Sequence, residues 1–264
     1  MNEYDNIEYE VVDGRGEIFL NRPDVMNAFN KTMLLDLNDA LERAMNDDNV
    51  YVVVLSGRKK GFCSGADVTS MDGREDRENK YSYGAHLWLV QNVVRLLYFG
   101  SKPTIAAVNG PAVGAGCDFA LACDLRVMDD DAFLREQFVN IGLVPGDGGA
   151  WLLPRLVGES KAKELLLTGR DIKAGEALDI GLLSSIAEGN ESAIDLARHL
   201  ANEIRDKPAL AIQNTKRLID TSQGFEKYAR AALNTQWECI NDPEHTEAVD
   251  ALIEERDPRF DRGH

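Results

Sequence analysis

Positive charge is scarce in this chain. Its 264 residues carry 45 aspartates and glutamates against 29 lysines and arginines, a formal net charge of −16. Proteins that grip nucleic acid neutralise phosphates with clustered Lys and Arg, so nucleic acid is excluded as a partner. Histidine is rarer still. The four histidines, at 86, 199, 245 and 264, are scattered and form no His-Glu-x-x-His pattern, which argues against a zinc enzyme or a Ser-His-Asp hydrolase. The four cysteines (Cys63, Cys117, Cys123 and Cys239) form no CxxC pair and no metal-ligand spacing. The first three sit among small or apolar neighbours and read as buried, inert thiols. No metal is expected. A long apolar run is also missing. Thr104 to Cys123 approaches the roughly 20 residues a membrane span needs, but Asn109, Gly110 and Pro111 interrupt it and Asp118 charges it. The opening MNEYDNIEYE is acidic and has no basic, apolar leader pattern, so the expected location is cytoplasmic, with no membrane partner. The acidic excess fits a soluble, self-repelling surface. It fits equally the high-salt cytoplasm of a halophile, where salt screens the repulsion.

What remains is an ordinary globular composition, 44% hydrophobic. Strands are expected over 7–12 and 17–20, joined by a turn at Asp13 and Gly14. Asn30 is placed to cap a helix over 31–45, in which Met33, Leu34, Leu37, Leu41 and Ala44 recur at helical spacing. The continuous apolar run 50–55 reads as a strand covered on both faces, and 70–84 as an exposed loop or loose helix. Further on come a helix over 87–98, strands over 104–108, 125–128 and 132–135, and a helix over 150–157. From about Ser192 the composition is helical, with Ala201, Ile204, Ala211, Leu218 and Ile219 as its apolar face. Alternating strands and helices imply an α/β core.

The stretch NGPAVGAGCDFALACD, residues 109–124, follows a strand and opens a helix. The first turn of a helix leaves N–H groups without partners and adds partial positive charge. Glycines let a ligand approach that backbone. A phosphate is a poor fit: the third glycine of GxGxxG is missing, no Walker lysine follows, and Asp118 would repel it. Close helix–sheet packing and a site for a developing oxyanion remain open. GFCSGADV, residues 61–68, also follows a buried strand and carries Gly65 before Ala66. Two N–H donors from separate corners would hold one carbonyl oxygen.

These stretches, with NRPDVMNAFN (21–30), KPTIAAVNGPAVGAGCDFALACDLRV (102–127), IGLVPGDGGAWLLPRLVG (141–158) and LTGRDIKAGEALDIGLL (167–183), resemble the enoyl-CoA hydratase/isomerase (crotonase) family in content and order. The resemblance implies a crotonase-like spiral of repeated ββα units over residues 1–190, carrying an acyl-CoA site. Residues 191–264 then correspond to a C-terminal helical oligomerisation region, and the assembly to a homotrimer or homohexamer. The substrate is an acyl-CoA thioester, coenzyme A entering only as part of it, with no separate cofactor. The oxyanion-hole donors match Ala66 and Ala115. Val25, Met26, Ala28, Ala66, Asp67 and Val68 match the coenzyme A contacts.

The acid–base positions depart from the family. Hydratases of the family use two glutamates; the first matches Asp118 and the second Phe138, which transfers no proton. Glu136 stands nearby, and shares a face with residue 138 only if the strand persists. Asp147 is the second catalytic candidate. Bland readings stand beside these: Asp118 as a charge at a helix start, Asp147 as a cap for the helix after it. The family lysines that hold the coenzyme A phosphates match Asp24, Thr69 and Glu255, with Arg22, Arg256 and Arg259 as substitutes. The function implied is hydration or double-bond isomerisation of an enoyl-CoA. The alternatives are a non-catalytic thioester-binding homologue, or another crotonase-type reaction such as decarboxylation or thioester hydrolysis.

Overall fold

The computed structural model describes residues 4–67, 80–220, 242–254, 256 and 258–260. Strands β1 (Ile7–Val12) and β2 (Arg15–Leu20) form an antiparallel hairpin. Its two-residue turn puts Asp13 and Gly14 at φ 48° and 76°, the left-handed pair that matches the twist of the strands. Helix α1 (Lys31–Asn46) starts at Asn30, whose side chain accepts the Met33 N–H at 2.9 Å. The apolar residues expected on its inner face are all buried.

β3 (Val52–Gly57), β4 (Thr104–Val108), β6 (Leu125–Met128) and β9 (Ser185–Ile186) continue the sheet in parallel, in the order β1-β2-β3-β4-β6-β9. Helix α2 (Lys80–Phe99) lies between β3 and β4 in the chain. A second small sheet, order β5-β7-β8, joins β5 (Ala112–Val113), β7 (Phe133–Arg135) and β8 (Ile172–Lys173). Helix α3 (Ala115–Ala122) leaves β5 directly. Helix α4 (Gly149–Thr168) and the short α5 (Ala174–Asp179) follow β7 and β8.

The central sheet is covered on both faces, as its valine-rich strand implied. Val53 and Leu55 join the larger core with α1, α2 and α3. Val52 and Val54 point the other way, onto Ala193, Ala197 and Ala201. Those alanines belong to α6 (Ala193–Arg205), whose Ser192 and Asp195 cap each other's backbone. The helices α7 (Ala209–Asp220) and α8 (Pro243–Ile253) complete the described elements.

Some expectations are corrected. The helix placed over 150–157 runs on to Thr168, broken at Gly158 with φ 78°. Most of 70–84 lies outside the described residues, and its end, 80–84, belongs to α2. Ile219 is not on a buried face: it is 67% exposed, while Asn214 and Lys216 of the same helix are buried. The physical reason is that α7 docks through polar groups. Lys216 Nζ donates to Leu97 O, Lys102 O and Asp124 Oδ2 at 3.2, 3.0 and 2.8 Å, which satisfies the buried ammonium. No described helix is long and apolar enough to cross a membrane.

Candidate active site

The loop 61–67 after β3 and the corner from β5 into α3 lie side by side. Cys63 and Ala112 form an isolated parallel bridge, through Cys63 N–H to Pro111 O at 3.1 Å and Val113 N–H to Cys63 O at 2.9 Å. The glycines explain how the corners come so close. A Cβ on Gly65 would sit 2.8 Å from Val113 O, and one on Gly116 would sit 2.2 Å from Cys63 O; no real side chain tolerates either. Gly65 also takes φ 92°. Ala66 and Ala115 each lie three residues beyond the bridged pair.

The N–H groups around Ala66 are occupied: Phe29 N–H donates to Gly65 O and Asp67 N–H to Phe29 O, both at 2.9 Å. The N–H of Ala66 itself has no partner among the described residues. Ala115 is the first residue of α3, after a Gly114 at φ 55° that offers no side-chain cap. Its N–H is likewise without a partner among the described residues, as a first-turn donor is unless something outside the helix accepts from it.

Asp118 lies one turn into α3, fully buried. Glu136 meets it. The Gly114 N–H donates to Arg135 O at 2.8 Å, which ties the end of β7 to the start of α3 and delivers the next residue to Asp118. Both carboxylates reach the same place: a Cβ on Gly149 would lie 2.6 Å from Asp118 Oδ1 and from both oxygens of Glu136. None of the four carboxylate oxygens has a hydrogen-bond partner among the described residues.

Burial pushes the Asp118 carboxyl well above its ordinary value, and the charges of Glu136 and Asp147 push it the same way. Burial likewise raises Glu136 from 4.5 to about 7. Asp147 is half-buried and raised to about 6 by burial. It does not cap α4, whose N-cap is Gly148 with no side-chain hydrogen bond. Its loop is held from α2, where Gln91 Nε2 donates to Gly146 O at 2.9 Å.

The sequence pattern pairs Asp118 with Asp147 and leaves Glu136 aside, because Glu136 shares a face with residue 138 only if the strand persists. It does not: β7 ends at Arg135 and a 3-10 turn starts at Phe138. The two side chains therefore part. Glu136 turns inward to Asp118, and the Phe138 ring lies 3.8 Å from where a Gly114 Cβ would be.

Of the residues that the resemblance matches to coenzyme A contacts, Val25 and Met26 are exposed on the loop before α1, Ala28 is buried, and Asp67 is buried against Arg22 at 3.0 Å. Val68, Thr69 and Glu255 lie outside the described residues. Arg22 also donates to Ala28 O, and Arg256 pairs with Glu247 and Glu254, so both cations already have anionic partners. Cys63, Cys117 and Cys123 are buried as expected; burial raises Cys63 and Cys123 to about 12 and Cys117 well above its ordinary value. Cys239 lies outside the described residues.

This arrangement of sheet, corners and terminal helices is a crotonase-like α/β fold. It is similar to the crystal structure of an enoyl-CoA hydratase from Bacillus anthracis, with a TM-score of 0.92 at 28% identity, covering 98% of this chain and 100% of that one. The enoyl-CoA hydratase/isomerase family model matches residues 12–263. The short-chain-enoyl-CoA hydratase of Clostridium acetobutylicum is 34% identical over 263 residues, covering 96% of this chain and 97% of the relative. The crotonyl-CoA hydratase of Syntrophomonas wolfei is 34% identical over 262 residues, with coverage of 97% and 98%. The chain belongs to the enoyl-CoA hydratase/isomerase family, and it is an enzyme of that family.

Proposed function

We propose that the protein hydrates the double bond of a 2-enoyl-CoA thioester. The thioester oxygen lies between the N–H groups of Ala66 and Ala115. As water adds to the β-carbon, the π electrons move onto that oxygen, and two fixed donors stabilise the charge. Removing one such donor in other enzymes costs about 10²–10³ in rate. Asp118 supplies acid–base chemistry beside the α-carbon, and its proton affinity, raised by burial above that of an ordinary carboxylate, suits a group that must both take and return a proton. The names of the relatives, short-chain-enoyl-CoA and crotonyl-CoA hydratases, support this direction. The observation that carries the reading is the pair of partnerless amides three residues beyond one bridge, next to a sealed carboxyl.

Phe138 favours a second reading. With a ring where the family resemblance places a glutamate, a shift of the double bond from 3-enoyl to 2-enoyl needs only one base that returns its proton. The purified protein is incubated with crotonyl-CoA and with longer 2- and 3-enoyl-CoA esters. Gain of one water confirms hydration, and a moved double bond at unchanged mass gives isomerisation. Binding without turnover of any ester would contradict both. Asp118→Asn lowers turnover by about 10²–10⁴-fold; loss of less than about threefold would show that Asp118 is not the acid–base group.

A further inference from the structure

Building on the hydration reading, we propose that Asp118 and Glu136 share a single proton and act as one acid–base unit, in which Glu136 stores the proton while Asp118 exchanges it with the substrate. The packing leaves few options. Asp118 is 0% exposed and Glu136 1%, their carboxylates converge beside Gly149, and none of the four oxygens has a well-formed hydrogen bond among the described residues, the Gly149 N–H and the Cys117 thiol being the neutral donors nearest to them. Two ionised carboxylates there would repel each other by about 4 kcal/mol at 4 Å and an effective dielectric of 20. Each would also lose its hydration without compensation. One proton held between them removes the repulsion and supplies the missing hydrogen bond.

The surrounding groups do not offer that proton elsewhere. Cys117, from the same helix as Asp118, faces Glu136, and burial keeps its thiol neutral. Asp147, from the loop before α4, acts on both carboxyls with charge of the same sign. No lysine or arginine is within hydrogen-bond reach of either carboxylate among the described residues. The pairing also accounts for Phe138: the second carboxyl is present, but it enters from two residues earlier and reaches the thioester only through Asp118.

The cycle balances with one stored proton. As the substrate binds, the shared proton passes to Glu136, and the Asp118 carboxylate so freed takes a proton from water. The water oxygen bonds to the β-carbon, and the π pair of the double bond moves to the thioester oxygen. The unit now holds two protons. The enolate collapses, its electron pair takes one of these at the α-carbon, and the unit returns to one proton. The hydroxyl on the product keeps the other hydrogen of water.

The test reads the carboxyls themselves. In the full-length protein with 13C-labelled aspartate and glutamate carboxyls, the pair titrates in two coupled steps, with one member still protonated at neutral pH. Glu136→Gln places an amide donor against Asp118. It lowers the Asp118 titration by about one pH unit or more, moves the acid limb of the kcat/KM profile with it, and lowers kcat by about 10-fold to 10³-fold. Asp118→Asn gives the reciprocal reading on Glu136, and serves if the first variant does not fold. An Asp118 that titrates at the same pH with and without Glu136 overturns the proposal. A wild-type protein that shows the coupled titration but hydrates no enoyl-CoA supports the pair and removes the hydration reading instead.

Discussion

Gly149 is the glycine on which both carboxyls of the site depend. Its Cα is the wall against which two carboxyls rest, with no room for a methyl group. Gly149→Ala therefore displaces both by about an ångström, a shift that costs on the order of 10²-fold in rate; kcat with crotonyl-CoA checks it. The same carboxyls shape stability. Glu136, Asp118 and Asp147 hold protons more tightly in the folded chain than in the unfolded one. Their contribution is complete below their unfolded values and is lost as pH rises through the folded ones, about 6 for Asp147 and about 7 for Glu136. Urea midpoints should fall across that window, and Glu136→Gln should flatten the fall. At this scale Asp118, Ala66 and Ala115 were named through the family resemblance, and the close approach of the Gly65 and Gly116 backbones was legible in the sequence, because only glycine lets two chains come so near. Glu136 was not, because its direction depends on β7 ending at Arg135, and no local signal in the stretch Arg135-Glu136-Gln137-Phe138 announces that.

Elements, rather than single side chains, bring the amides together. The two corners are held by a bridge outside any long strand, and α3 starts without a side-chain cap. Order must come from the sheet behind them. Helix α6 clamps that sheet: Arg198 donates to Glu17 at 2.6 Å, and Arg15 to the same carboxylate at 3.0 Å. Burial pushes Glu17 up, yet the two guanidiniums hold it below its ordinary value. This contribution runs opposite to that of the site: it is present above the unfolded value and lost as pH falls. Glu17→Gln leaves the buried Arg15 with only the exposed Asp13 carboxylate, at 3.6 Å, as its anion. We expect a loss of about 2 kcal/mol in urea unfolding, below the roughly 3–5 kcal/mol of a sealed pair because Arg198 reaches water. Strands and helices with clear periodicity were legible here. The polar docking of α7 was not, because Lys216 satisfies its charge on carbonyls from Leu97 and Lys102, more than a hundred residues away in the chain.

At the scale of the whole molecule, the net charge of −16 opposes compactness. Raising KCl from about 0.1 M to about 1 M shortens the screening length from roughly 10 to 3 Å. The thermal midpoint should rise by about 2–4 °C for each kcal/mol of repulsion removed, and an unchanged midpoint would show that the charges are already dispersed. The overall architecture was legible because several long motifs stand in family order along the chain. The function depends on something narrower, two amides aimed at one oxygen. The vibrational frequency of a bound thioester reads that directly. Butyryl-CoA labelled with 13C at its carbonyl binds without reacting, and its difference infrared spectrum reports the polarisation of the bond. A carbonyl band displaced to lower frequency on binding, as donors draw charge onto the oxygen, is the predicted result. A band at its solution frequency in a saturated complex would contradict the account.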